Sequence, residues 1–278
     1  MSFSLAHIMV LDRTPGELVQ MAERTGYESV SLRLMPMGVA GEIDHRIVGD
    51  TQRLRELRAT VRSSGVRVLD VELARIYTGA DVRQYRPALE AGAELGAKHV
   101  LSSAWCNDKA FVVDQLARLC DLAEPMGLVI NFEFVTFSGC TNLRQARDIV
   151  EEVNRWNLGL CIDTLHFDRS GVALTELESL NSDLLNYAQI CDGPRVYSRD
   201  SEELIRVARG ARLLPGEGGI DLAAILQRMP TVPYVVEIPN SESRRMLGDE
   251  ELVRRALVRT QAYFREHGLG RTGSNYSH

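Results

Sequence analysis

The feature that most constrains this chain is a recurrence. Short β-rich apolar runs alternate with amphipathic helical stretches eight times over 278 residues. The strand-like runs are Ser4–Val10, Glu28–Leu34, Val66–Val71, Lys98–Ser102, Leu128–Phe134, Leu158–Ile162, Leu184–Ile190 and Tyr234–Ile238. Between and after them the pattern predicts helices over Thr14–Arg24, Asp50–Ser64, Asp81–Leu95, Asn107–Met126, Thr141–Val153, Thr175–Leu180, Asp221–Arg228 and Asp249–His267. The start and stop signals agree with the pattern. Thr14-Pro15-Gly16-Glu17 carries a Thr cap, a proline at the first helical position and a glutamate two residues on, and Gly26 stops that helix. Strand–helix alternation of this kind makes parallel strands with helical crossovers. Eight units in a chain of this length predict an α/β fold, a single (β/α)8 TIM barrel. We expect one domain over 1–278, with the barrel at about 4–267 and a loose polar tail at 268–278. A doubly wound open sheet is the alternative. No Gly-x-Gly-x-x-Gly follows a strand, which argues against a dinucleotide fold.

Composition narrows the function. The net charge of −6 argues against a nucleic-acid partner. No apolar run approaches the ~20 residues that span a bilayer, so no membrane segment is expected. Five cysteines without a Cys-x-x-Cys pair fit a reducing, cytoplasmic setting. All basic residues but Lys98 and Lys109 are arginine, and neither lysine falls where a Schiff base would form in a barrel. The expected partner is a small molecule, and a homo-oligomer is compatible with the sequence.

Barrel active sites gather at the C-terminal ends of the strands. Glu133 ends the fifth run, Asp163 follows the sixth, Gln189 lies near the end of the seventh, and Glu237 falls near the end of the eighth. Three carboxylates and an amide oxygen on one rim cannot stay ionised together without a cation. Oxygen donors favour hard or borderline divalent ions. The expected ligand set is therefore Glu133, Asp163, Gln189 and Glu237 around one divalent ion. Mn²⁺ is preferred, with Mg²⁺, Co²⁺ and Zn²⁺ compatible. His166, three residues past Asp163, could ligate, but its offset aims it at a substrate. The blander reading makes Asp163 a helix cap and His166 a surface residue. Arg33, Arg195 and Arg212 suit a substrate carboxylate or phosphate, although most arginines in so arginine-rich a chain must be solvated. Glu72 could orient a substrate hydroxyl or pair with Arg33 or Arg75. Trp105 could wall the pocket, and His7 and His99 read as core histidines.

Several segments resemble the xylose-isomerase-like barrel superfamily of sugar isomerases and epimerases. They are Cys161-Ile162-Asp163-Thr164-Leu165-His166, Gln189-Ile190-Cys191-Asp192-Gly193-Pro194, Leu214-Pro215-Gly216-Glu217-Gly218 leading to Ile220-Asp221, Val236-Glu237, and the turn Gly26-Tyr27-Glu28-Ser29-Val30. The resemblance implies the same four ligands, with His166 as the substrate-contacting histidine. Many sugar epimerases of the superfamily place histidine where this chain has Gln189. Glutamine there is similar to a branch that includes 3-dehydroshikimate dehydratases. The chemistry expected is proton transfer beside a carbonyl through an enediolate, with Glu133 and Glu237 moving the proton. The substrate is a keto sugar or cyclitol, and the outcome isomerisation or epimerisation. A lyase that expels water is the alternative. A DNA-repair endonuclease with many histidine ligands, and a non-catalytic barrel, are the competing readings from other classes.

Overall fold

A computed structural model describes residues 1–39 and 41–270. Eight parallel strands close into a barrel in sequence order, each paired with the next and the eighth with the first. They are β1 (Phe3–Ala6), β2 (Ser29–Arg33), β3 (Arg67–Ile76), β4 (His99–Ala104), β5 (Val129–Glu133), β6 (Leu158–Asp163), β7 (Leu185–Ile190) and β8 (Tyr234–Val236). The closed barrel excludes the open-sheet alternative.

Eleven α-helices are present among the described residues. They are α1 (Pro15–Thr25), α2 (Thr51–Ser64), α3 (Arg86–Glu94), α4 (Lys109–Ala123), α5 (Leu143–Val153), α6 (Thr164–Ser170), α7 (Leu174–Glu178), α8 (Ser201–Gly210), α9 (Leu222–Leu226), α10 (Ser241–Leu247) and α11 (Asp249–Glu266). The first shows how local chemistry sets a boundary. Thr14 Oγ1 accepts from the Glu17 backbone, Glu17 reaches back to the Thr14 N–H, and Gly26 closes the helix at φ 90°. No helix among the described residues is long and apolar enough to cross a membrane. The expected loose tail lies outside the described residues from residue 271 onward.

Two cores follow from the two-residue period of the strands. Outward positions such as Val30, Ile130, Phe132, Leu160 and Ile162 pack under the helices in one large core. Inward positions form a second, smaller core of Ala6, Leu73, Leu101, Cys161, Tyr187 and Val235. Two residues further along three of these strands, the inward direction gives Asp163, Gln189 and Glu237. The inner core is thus the floor on which the polar rim stands.

Three expectations change. The first strand ends at Ala6, and His7–Val10 forms a 3₁₀ turn instead. His7 Nε2 bonds the Arg13 carbonyl and Nδ1 accepts from the Arg33 N–H, so the ring ties the loop before α1 to the end of β2 rather than filling a strand. β3 runs on to Ile76, so Glu72 lies within it. Three helices escape the periodicity: α6 and α10 have seven residues each, and α8 lies in a connection read as loop.

Candidate metal centre and active site

Register brings the strand ends together. Asp163 pairs with Gln189 across β6 and β7, and Gln189 with Val235 across β7 and β8. The Glu237 N–H extends this ladder by bonding Ile190 O at 3.1 Å. All four expected ligands are buried. Gln189 Nε2 donates to Glu237 Oε2 at 2.6 Å, and its own carbonyl oxygen Oε1 is buried without a partner. Ligand atoms of Glu133, Asp163 and His166 lie within 4.8 Å of one another.

Asp163 ends β6 and caps α6 at once, and His166 beyond it is buried rather than on the surface. Oδ1 caps α6 by accepting from the Leu165 and His166 N–H groups at 2.7 and 3.2 Å. Oδ2 accepts from Arg212 Nη1 at 2.5 Å. Burial opposes its ionisation, but Arg212, His166 and these hydrogen bonds outweigh burial and hold the carboxyl below its usual range. Glu237 Oε1 meets Arg212 Nη2 at 3.0 Å. Burial nevertheless pushes Glu237 up to about 7, with Asp163 adding to the push. Glu133 lies well above the usual carboxylate range because of burial and then the charges of Asp163 and Glu237. The cluster is short of positive charge.

His166 is buried, which lowers it to about 4 and keeps the ring neutral near pH 7. Its Nδ1 accepts from the Thr136 N–H at 3.5 Å and lies 3.2 Å from Thr136 Oγ1. A backbone N–H only donates, so the ring proton belongs on Nε2. The ring also packs edge-on against Phe137 at 5.6 Å.

The structure sorts the other candidates. Arg212 lines the pocket, but with its charge turned to the protein's own acids. Its guanidinium is 3% exposed and committed to Asp163, Glu237 and the Ala208 carbonyl. Arg195 is exposed at a bend beside Gly219 and lines neither of the two cavities at the site. Arg33 and Glu72 do reach the pocket, as a buried pair with Nη2–Oε2 at 2.8 Å. Burial pushes Glu72 up to about 7 against the pull of Arg33. Trp105 walls the same pocket, its indole N–H on Ser103 Oγ at 2.8 Å.

A small cavity of about 60 Å³ lies among Glu133, His166, Gln189, Glu237, Glu72 and Trp105. It shares Ile8, Arg33, Met37 and Arg209 with an open cavity of about 690 Å³. Thr136, Phe137 and Arg209 carry no mark in the sequence pattern that singles them out. For Arg209 the available signal is the three-residue spacing Arg206, Arg209, Arg212.

A closed parallel barrel with acids converging at its C-terminal rim defines a barrel-enzyme architecture. This chain belongs to the xylose isomerase-like TIM barrel family, whose model matches residues 19–263. It is 26% identical over 270 residues to an inosose isomerase of Bacillus velezensis, covering 88% of this chain and 90% of that protein. A second inosose isomerase, of Bacillus licheniformis, is 31% identical over 166 residues, and that match spans only 56% of its length. Among solved structures, the IOLI protein with a binding zinc atom superposes with a TM-score of 0.81 at 23% identity. That match covers 96% of this chain and 99% of the other.

Proposed function

We propose that this protein is a divalent-cation-dependent isomerase or epimerase of small keto cyclitols or keto sugars, working through an enediolate. The observation that carries this reading is the under-neutralised cluster of Glu133, Asp163, Gln189 and Glu237, with the Gln189 carbonyl oxygen buried and unbonded. Those donors fit a hard divalent ion, Mn²⁺ first, and the zinc of the IOLI protein supports a divalent cation in such a barrel. When bound, the cation supplies positive charge where the substrate oxygens become negative.

The chain's own residues do the rest. Glu133 takes the proton beside the substrate carbonyl, and burial makes it basic enough to do so. Glu237 returns the proton, with Gln189 Nε2 and Arg212 Nη2 fixing its carboxylate. His166, held by Thr136, presents Nε2–H to a substrate oxygen. Glu72 orients a hydroxyl from across the pocket, kept in place by Arg33. The names of the relatives support isomerisation. Expulsion of water, suggested by Gln189, is the weaker reading. The same proposal places the enzyme in the cytoplasm, acting as a single barrel domain.

Mn²⁺-loaded protein is to be incubated in D₂O with inososes, keto sugars and 3-dehydroshikimate. Deuterium beside the carbonyl without loss of water is the expected result. A new ultraviolet band from a conjugated product would transfer the assignment to a lyase. No exchange with any compound rejects the substrate class.

A further inference from the structure

The cavity of about 690 Å³ is larger than a metal site needs, and its charges are unbalanced where it joins that site. Arg33 and Arg209 line both spaces. The Arg33 side chain is 5% exposed, and its Nε and Nη1 are buried without hydrogen-bond partners. Nη1 faces the buried Glu42 Oε1 at 3.6 Å, an ion pair too long for a hydrogen bond, and the other Glu42 oxygen accepts from the N–H groups of Met37, Gly38 and Val39. Arg206, on the same cavity wall, is neutralised by Glu203. Arg209 has no ion-pair partner among the described residues. Its charge is disfavoured by partial burial and then by Arg75 and Arg33, with Glu42 opposing them in part. Arg75 also lacks an acidic partner among the described residues. It donates to the Met37 carbonyl and lies 5.8 Å from the Trp105 ring centre. Neutral hydroxyls would leave this repulsion in place, whereas an oxyanion would relieve it.

We propose that Arg33 and Arg209 form a subsite for an oxyanion substituent, a carboxylate or phosphate monoester, on the keto polyol whose carbonyl end lies among Glu133, Gln189 and Glu237. The subsite extends the reaction proposed above and rests on it for the carbonyl end. Arg33, braced by Glu72, supplies the fixed charge. Arg209, on exposed α8, supplies the adjustable one. Arg212 takes no part, because its nitrogens are already committed.

The test is calorimetric titration of Mn²⁺-loaded full-length protein with myo-inositol, myo-inositol 1-phosphate and quinate, none of which can react through a carbonyl. The expected result is that at least one anion binds about tenfold or more tighter than myo-inositol. The Arg209→Gln variant should reduce that ratio by about tenfold. Arg209 is exposed, so the variant is expected to fold, and circular dichroism checks it. Preference for the phosphate or for quinate names the substituent. Equal affinity for all three compounds, or an unchanged ratio in Arg209→Gln, overturns the subsite. Deuterium exchange into an inosose is measured alongside. Exchange without anion preference removes the subsite and leaves the reaction. Anion preference without exchange does the opposite.

Discussion

The two halves of the barrel solve the problem of buried charge differently. Strands β5 to β8 deliver Glu133, Asp163, Gln189 and Glu237 to the rim, with one buried cation, Arg212, between two of the acids. Strands β1 to β4 bring Arg33 and Glu72 together as a pair and surround them with Ile8, Leu73, Leu101 and Trp105. The acid cluster on β5 to β8 lacks positive charge, whereas Arg33 in the other half faces Glu72 and Glu42. The halves therefore divide the labour. In the proposed reaction one would hold an ion and move a proton, and the other would shape and orient what is bound.

The sharpest way to break that division is at Asp163. Asp163→Ala is expected to abolish ion binding and lower kcat/KM by about 10³-fold or more. His166→Ala is expected to keep the ion and lose turnover, since Nδ1 is held by Thr136 and Nε2 is assigned to the substrate. Metal content by mass spectrometry and deuterium exchange check both. Equal ion loss in the two variants would move His166 into the ligand set, alongside its neighbours Glu133 and Asp163.

Next in size is the contrast between the two buried arginines. Arg212→Met leaves Asp163 and Glu237 facing each other, and breaking such a buried pair costs about 3–5 kcal/mol. Added Mn²⁺ should restore much of that loss. Arg33→Met is expected to cost less, because Glu72 already lies near 7 and can accept a proton. Thermal denaturation with EDTA and with Mn²⁺ compares them. A larger loss for Arg33→Met, or no rescue of Arg212→Met, would overturn the charge argument.

The difference between the halves also explains what the sequence could tell. Glu133, Asp163, Gln189 and Glu237 sit at or beside strand ends, where period and polarity coincide, so their convergence follows from the barrel rule alone. Arg195 and Arg212 have no such marker. They lie in the connection after β7, where a bend at Arg195-Val196 leaves Arg195 in solvent while Arg212, just past the unrecognised α8, enters the cluster. Arg209 is hidden for the same reason. Helix α6 escapes notice because Asp163 is at once strand end and helix cap, leaving no loop to mark the boundary.

Below the rim, Asp70 offers a further test. It sits on the barrel floor, 3.4 Å from Tyr187 Oη, and burial pushes it up to about 7. A carboxyl raised in the folded state contributes stability that is complete below its ordinary value near 4 and is lost as pH rises through about 7. Asp70→Asn removes that dependence. It should match wild type near pH 4 and exceed it by about 4 kcal/mol near pH 8.5. Urea denaturation at the two pH values measures this. A stability gap independent of pH would show that Asp70 is ionised in the fold.

The smallest expected effect belongs to the shaping half. Trp105 projects just past β4, its N–H satisfied by Ser103 and its ring 6.0 Å from that of Phe137. The ring therefore offers its face and edge to the pocket without a polar demand of its own. A polyol presents C–H groups between its hydroxyls, and contact with such a wall is worth about 0.5–1.5 kcal/mol. Trp105→Ala should raise KM about threefold to tenfold, with ion content unchanged and kcat within about twofold. Steady-state kinetics with the exchanging substrate, next to metal analysis, separates these quantities. Loss of the ion in Trp105→Ala would mean that the two halves are coupled through the Trp105–Phe137–His166 contacts, and the division of labour would then have to be redrawn around His166.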